Sequence, residues 1–266
     1  MNIVVCVKEI LDPEAPADSF TVDGVNNTLV AKGKIAKVLN PFDEQAVEAA
    51  LRIKDKMPAR VTVISLGKQM DRVVTKKPVF MGADELILLE DESFVGGDSW
   101  STAYAIAAAI RKIGQCDLVL CGRQAADSNA GQVGIGIAEF LGLPHISVAR
   151  KIDILDGKAR VERVTSDGYE TVEVDLPALI TVTNELGQAR YPAIHNIRIA
   201  NKIQPTVWKH TDIGIEAGKA GNQGRRQNLV KLFQPAREGT CEMVEGETLQ
   251  EAAENLALVL RKAKML

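Results

Sequence analysis

Apolar positions along the chain alternate between short continuous runs and helical spacings. Ile3–Val7 is an apolar, largely β-branched run, which suits a central parallel strand covered on both faces. After a loop-like stretch rich in Pro, Asp, Gly and Asn (12–27), Asn40-Pro41-Phe42-Asp43-Glu44 reads as a helix start. Asn caps, Pro takes the first helical position, and two acids complement the dipole. Phe42, Ala46, Ala49 or Ala50, Ile53 and Met57 then mark one apolar face, and Pro58 follows its end. Arg60–Leu66 reads as a second buried strand, and a helix after Gly67 runs to about Met81, kinked or ended by Pro78. Glu85–Leu89 is a third strand. Trp100–Ile113 is an Ala-rich helix capped by Asp98 or Ser99.

The next stretch organises the rest. Leu118–Cys121 has strand length, Gly122 ends it, and a polar loop of ten residues follows: Arg123, Gln124, Ala125, Ala126, Asp127, Ser128, Asn129, Ala130, Gly131 and Gln132. Val133, Ile137 and Phe140 or Leu141 then fall at helical spacing, stopped by Gly142 and Pro144. In a parallel α/β sheet such a loop lies at the carboxyl edge, where ligands bind. A helix start there favours a phosphate, and the loop is longer than the usual two to six residues of such connections.

Beyond about Val148 the rhythm changes. Lys151–Leu155, Ala159–Thr165, Glu170–Val174 and Ala178–Thr183 are short β segments, with Asp156-Gly157 and Asp167-Gly168 as hairpin signals. They predict an antiparallel addition to the sheet. Residues 1–203 are therefore expected to form one α/β domain. Residues 204–266 are expected to form an extended arm, ending in a helix over Thr248–Lys264 with Thr248 and Glu251 as a capping box.

Composition narrows the function. Apolar residues make up 46% and aromatics 4% of 266 residues, so the core is aliphatic. A net charge of −3 argues against a nucleic-acid binder. The four cysteines lack C-x-x-C spacing and read as buried free thiols in a reducing compartment. Asn2–Val7 is too short for a signal-peptide core and no run approaches a membrane span, so a soluble cytoplasmic protein is expected.

The P-loop consensus is absent. Gly131, Gly134 and Gly136 nearly make a dinucleotide fingerprint, but Glu139 stands where the last glycine belongs. His145, His195 and His210 show no metal spacing. What survives is the Gly122–Val133 loop as a nucleotide-phosphate site. On pattern alone Ile194 is an ordinary buried residue.

The chain resembles the β subunit of electron transfer flavoprotein nearly end to end. The likeness is carried by Val5-Cys6-Val7-Lys8, Asn40-Pro41-Phe42, Met81-Gly82-Ala83-Asp84, Gly122-Arg123-Gln124-Ala125 with Asp127, Gln132 and Gly134, and Arg190-Tyr191-Pro192-Ala193-Ile194 with Asn196-Ile197. The resemblance implies a Rossmann-like α/β fold of the adenine-nucleotide-binding type and a C-terminal arm embracing an α subunit. It implies a heterodimer that relays electrons from flavin dehydrogenases, such as an acyl-CoA dehydrogenase, and in the electron-bifurcating branch from NADH.

By the same resemblance, the β subunit holds an adenine nucleotide through Cys6, Asn40, Pro41, Phe42, Asp43, Leu66 and Gly122 to Val133. Arg190, Tyr191, Ile194, Asn196 and Ile197 dock the partner, with Ile194 as apolar anchor. Gly97–Tyr104 and Gly131-Gln132-Val133-Gly134 resemble the bifurcating branch, whereas Asn40–Asp43 looks more like the AMP branch. A second FAD is favoured, with AMP as the alternative. The chain is expected to act as a redox subunit of a complex and not as an enzyme alone, the alternative being a stand-alone adenine-nucleotide binding module.

Overall fold

The computed structural model describes residues 1–235, 239 and 241–265. Its strands are β1 (Asn2–Val7), β2 (Glu9–Leu11), β3 (Phe20–Asp23), β4 (Thr28–Ala31), β5 (Lys37–Leu39), β6 (Arg60–Gly67), β7 (Glu85–Glu90), β8 (Leu118–Gly122), β9 (His145–Leu155), β10 (Lys158–Thr165), β11 (Gly168–Asp175), β12 (Ala178–Val182) and β13 (Thr206–Trp208). The helices are α1 (Pro41–Lys56), α2 (Arg72–Met81), α3 (Ser99–Ile113), α4 (Val133–Leu141), α5 (Ile194–Ala200), α6 (Gly221–Gly224) and α7 (Leu249–Lys262).

Nine strands form one sheet in the order β11-β10-β9-β12-β8-β1-β6-β7-β13. Its centre is parallel: β1 pairs with β6 and β8, and β12 with β8 and β9. Continuous apolar runs are what a sheet covered on both faces requires, and β1, β6, β7, β8 and β12 bury most of their residues. One face packs residues of α1 and α2, including Val47, Leu51 and Val79. The other packs the alanines of α3 with Ile137 and Ala138 of α4. Small side chains let α3 and α4 approach closely: a Cβ on Gly136 would stand 2.9 Å from that of Ala103. Gly134, likewise, faces Thr181 and Cys121. These glycines therefore serve packing.

The expected α/β class and the hairpins at Asp156-Gly157 and Asp167-Gly168 are present, with β9, β10 and β11 antiparallel. Several details differ from the sequence reading. The stretch 12–27, read as loop, contains β3. The segment read as Lys151–Leu155 is the end of a strand starting at His145 and bent at Val148, whose φ is 63°. Ala178–Val182 is not part of the antiparallel addition but a wholly buried parallel strand between β8 and β9. The stretch after 203 adds β13 alongside β7 and buries Ile213, Ile215 and Ala220.

Compact packing accordingly groups 1–21 with 29–230, and 22–28 with 231–266 as a second unit. Three-residue strands carry too little pattern to be read from periodicity. In the second unit, Thr248 Oγ1 accepts from the Glu251 N–H, and the Glu251 carboxylate accepts from the Glu247 N–H. α7 buries none of its residues there, and Leu256, Leu258 and Val259 stay exposed. Among the described residues no helix is long and apolar enough to cross a membrane.

Candidate functional site

The chain runs from β1 outward to β6 and β7, then returns through α3 to β8 on the other side of β1. The order of strands thus reverses between β1 and β8. In open α/β sheets the crevice outside such a reversal is where ligands bind. The start of α1, the end of β1 and the loop after β8 all meet at this point.

Asn40 and Asp43 assemble the meeting. Asn40 stands at the cap position of α1, but its side chain makes no cap bond. Instead its Nδ2 donates to the Gln124 carbonyl at 2.9 Å, and its Oδ1 accepts from the Ala126 N–H at 3.0 Å. Asp43 accepts from the Lys8 N–H at 2.8 Å and the Gly122 N–H at 3.1 Å. It thereby joins the ends of β1 and β8. Burial pushes its carboxyl up to about 7, against the pull of Asn40, the two amides and the Lys8 charge. A Cβ on Gly122 would lie 2.4 Å from Asp43 Oδ1 and 2.7 Å from the Phe42 carbonyl carbon, so only glycine lets α1 back onto β8 here.

The loop is folded on itself. Arg123 N–H donates to the Val182 carbonyl, Asn129 N–H to the Ala125 carbonyl, and Gln124 Nε2 to Asn129 Oδ1. Asn129 and Gly131 take the left-handed conformation (φ 51° and 64°), which Asn and Gly adopt most readily. The Arg123 guanidinium lies 4.8 Å over the Phe42 ring, and its buried Nε has no hydrogen-bond partner. Gln132 ends the loop at the N-terminus of α4, without a side-chain cap. The first N–H groups of that helix lack partners within it. Ser128, Asn129 and Ala130 are exposed or nearly so.

Cys6 and Cys121 are register neighbours on β1 and β8. The hydrogen bond between the two thiols, together with burial, pushes Cys6 well above its usual range. Cys6 is buried beside Cys121 at the end of β1. Leu66 lies at the carboxyl end of β6, one strand further on. Pro41 occupies the first turn of α1. The sequence reading gave no separate role to Lys8. Its Nζ pairs with Asp127 at 2.6 Å, tying the loop to the end of β1. A lysine closing an apolar strand was the visible signal.

The second predicted group is not at this crevice. Arg190 and Tyr191 precede α5, and Ile194, Asn196 and Ile197 lie on it; Ile194 is 75% and Tyr191 82% exposed. The pattern-based reading of Ile194 as buried is corrected: α5 has only Ala200 as a buried residue. Arg190 and Asn196 turn inward. Arg190 pairs with Glu48 and Asp55 of α1, and Asn196 Nδ2 donates to the Met81 carbonyl at 3.2 Å. Among the described residues, no cluster of three or more metal-ligating side chains forms.

The family model described as the electron transfer flavoprotein domain matches residues 28–212. A caffeyl-CoA reductase–Etf complex subunit, CarD, of Acetobacterium woodii is 37% identical over 267 residues, covering 100% of each chain. The electron transfer flavoprotein subunit beta of Thermoanaerobacterium thermosaccharolyticum is 38% identical over 257 residues, 96% of each. An acryloyl-CoA reductase electron transfer subunit gamma of Anaerotignum propionicum is 32% identical over 263 residues, again 96% of each. With a sheet that reverses at β1 and these full-length likenesses, the chain belongs to the electron transfer flavoprotein family as a β-subunit-type, electron-transfer protein.

Proposed function

We propose that this chain holds an adenine nucleotide in the crevice between the ends of β1 and β8, and that FAD is preferred there to AMP. The observation that carries the reading is the Gly122–Val133 loop, held by Asn40 and backed by the start of α1, at the point where strand order reverses. The buried, unpaired Arg123 Nε and the start of α4 suit an anion. Val133 offers no hydroxyl to a terminal phosphate. A small cavity of about 180 Å³ beside the end of the loop is lined by Gln132, Trp100, Phe140 and Arg226. A flavin bound in the crevice supplies the redox chemistry. The chain's own residues bind it, orient it and set the charge around it.

The chain works beside an α subunit. α7, with an apolar stripe that its own unit leaves exposed, forms part of that contact. Electrons come from a flavin dehydrogenase of acyl-CoA type, or from NADH if the second flavin is present. Relatives named as subunits with CoA-thioester reductases favour a partner of that class. The exposed Tyr191, ahead of α5, and Ile194, its first residue, are its docking anchors.

A cofactor count tests the reading. The chain is co-expressed with its α subunit, the complex is denatured, and FAD and AMP are quantified. Two FAD and no AMP are expected. One FAD with one AMP replaces the preferred nucleotide but keeps the site. Only one FAD and no AMP sinks the site. In the complex, Arg123→Ala with Gln132→Ala should lower nucleotide content, and unchanged stoichiometry would remove the loop from the site.

A further inference from the structure

α1 carries a carboxylate where none is expected. Glu48 lies in the middle of the helix with its side chain 6% exposed. A buried carboxylate persists only when paired and hydrogen-bonded. Glu48 has two guanidinium partners. Arg52, one turn on, donates through Nε at 2.8 Å and sends Nη1 to the Leu186 carbonyl at 2.8 Å. Arg190 donates through its own backbone N–H at 3.1 Å and through Nε at 2.8 Å. Its Nη2 reaches Asp55 at 2.7 Å. Burial pushes Glu48 up, but the bonds from Arg190 and Arg52 outweigh it and hold the carboxyl below its usual range. Asp55 and Glu48 together raise the Arg190 guanidinium further.

Glu48 and Asp55 stand two turns apart on one face of α1. The Arg190 fork bridges them and fixes the chain four residues before α5 begins. Asn196 fixes α5 itself to the last turn of α2. Between these two pins, Tyr191 and Ile194 point to solvent. Arg190 and Asn196 are bonded inward, while Tyr191 and Ile194 are displayed together with the exposed His195 and Arg198.

We propose that Arg190 is a positioning residue for electron-partner docking: it meets no partner, but clamps onto Glu48 and Asp55 so that Tyr191 and Ile194 are presented in one fixed place. The inference rests on the docking reading of α5 given above. A lysine would not replace the arginine, because a single ammonium cannot bridge two carboxylates as a planar fork does.

The test uses the complex with its α subunit and a purified short-chain acyl-CoA dehydrogenase as partner. Arg190→Gln should speed hydrogen exchange across 191–200 about tenfold in the free complex, where no partner is present to touch. It should raise KM for the dehydrogenase about tenfold and leave kcat and flavin content unchanged. Arg190→Lys, which keeps the charge and guards against misfolding, should give intermediate values of both. A double-mutant cycle with Ile194→Ala decides the route. If Arg190 acts by placing Ile194, the two effects on KM are strongly non-additive. Additive effects, or unchanged exchange across 191–200, overturn the clamp while leaving docking intact. An Ile194→Ala complex with wild-type KM overturns the docking reading, and the inference falls with it.

Discussion

The Gly122–Val133 loop and the Arg190–Ala200 segment are both fastened to α1, by opposite means. In the loop, side chains at the start of the helix hold main-chain groups: Asn40 takes Gln124 and Ala126, and Asp43 takes Lys8 and Gly122. The loop's own polar side chains are left uncommitted in part, with Arg123 Nε the clearest case. In the second region the fastening uses two of the segment's own side chains, Arg190 on α1 and Asn196 on the end of α2, and leaves Tyr191 and Ile194 outside. A place for a small anion needs a rigid backbone and spare donors. A place for a protein needs rigidly held apolar anchors. The same helix fastens both regions, with its first turn at one and its middle at the other.

That contrast can be broken at Asp43 first, where the largest effect is expected. Its carboxyl rises from 3.8 to about 7 on folding. A raised group favours the folded state while protonated, so its contribution is full below about pH 4 and is lost as pH climbs through 7. The span is worth about 4 kcal/mol. Unfolding free energy of the wild type minus that of Asp43→Asn, followed from pH 4 to 8, should fall by this order and then level off. A flat difference would mean that Asp43 is not buried as a keystone. Gly122→Ala comes next, since the added Cβ meets Asp43 and the Phe42 backbone. It should cost about 3 kcal/mol by denaturant titration. Wild-type stability would separate α1 from β8.

Asn40→Ala loses two bonds in a buried position and should cost about 2 kcal/mol, with a parallel loss of nucleotide. Lost stability with full nucleotide content would show that the loop's pinning is structural alone. Ile194→Ala sharpens the other side. Being exposed, it should change stability by no more than about 0.5 kcal/mol, yet slow electron transfer with the dehydrogenase. A large drop in Tm would place Ile194 in a core, against the structure.

Much of this was legible in residue order. The runs at Ile3–Val7 and Leu118–Cys121, the start at Asn40-Pro41, and the ten-residue loop ahead of Val133 each announced the element found. The roles of particular side chains were less so. Asn40 reads as a helix cap, the local use of its amide, and its actual partners lie 84 and 86 residues away. Arg190 sits in a motif that the resemblance reads as partner-docking, and nothing around it in sequence reveals Glu48, 142 residues earlier.

The sequence alone determined the alternation of strands and helices, the two hairpins, the glycine-bearing loop and the family, because each is written in neighbouring residues as period, turn chemistry or motif. Tertiary structure decided the rest. It placed Ala178–Val182 inside the parallel sheet, brought Thr206–Trp208 to its edge, turned Ile194 outward and Arg190 inward, and set Asp43 between two strand ends. Burial and the pairing of buried polar groups are properties of contacts between distant segments, and only the folded chain contains those contacts.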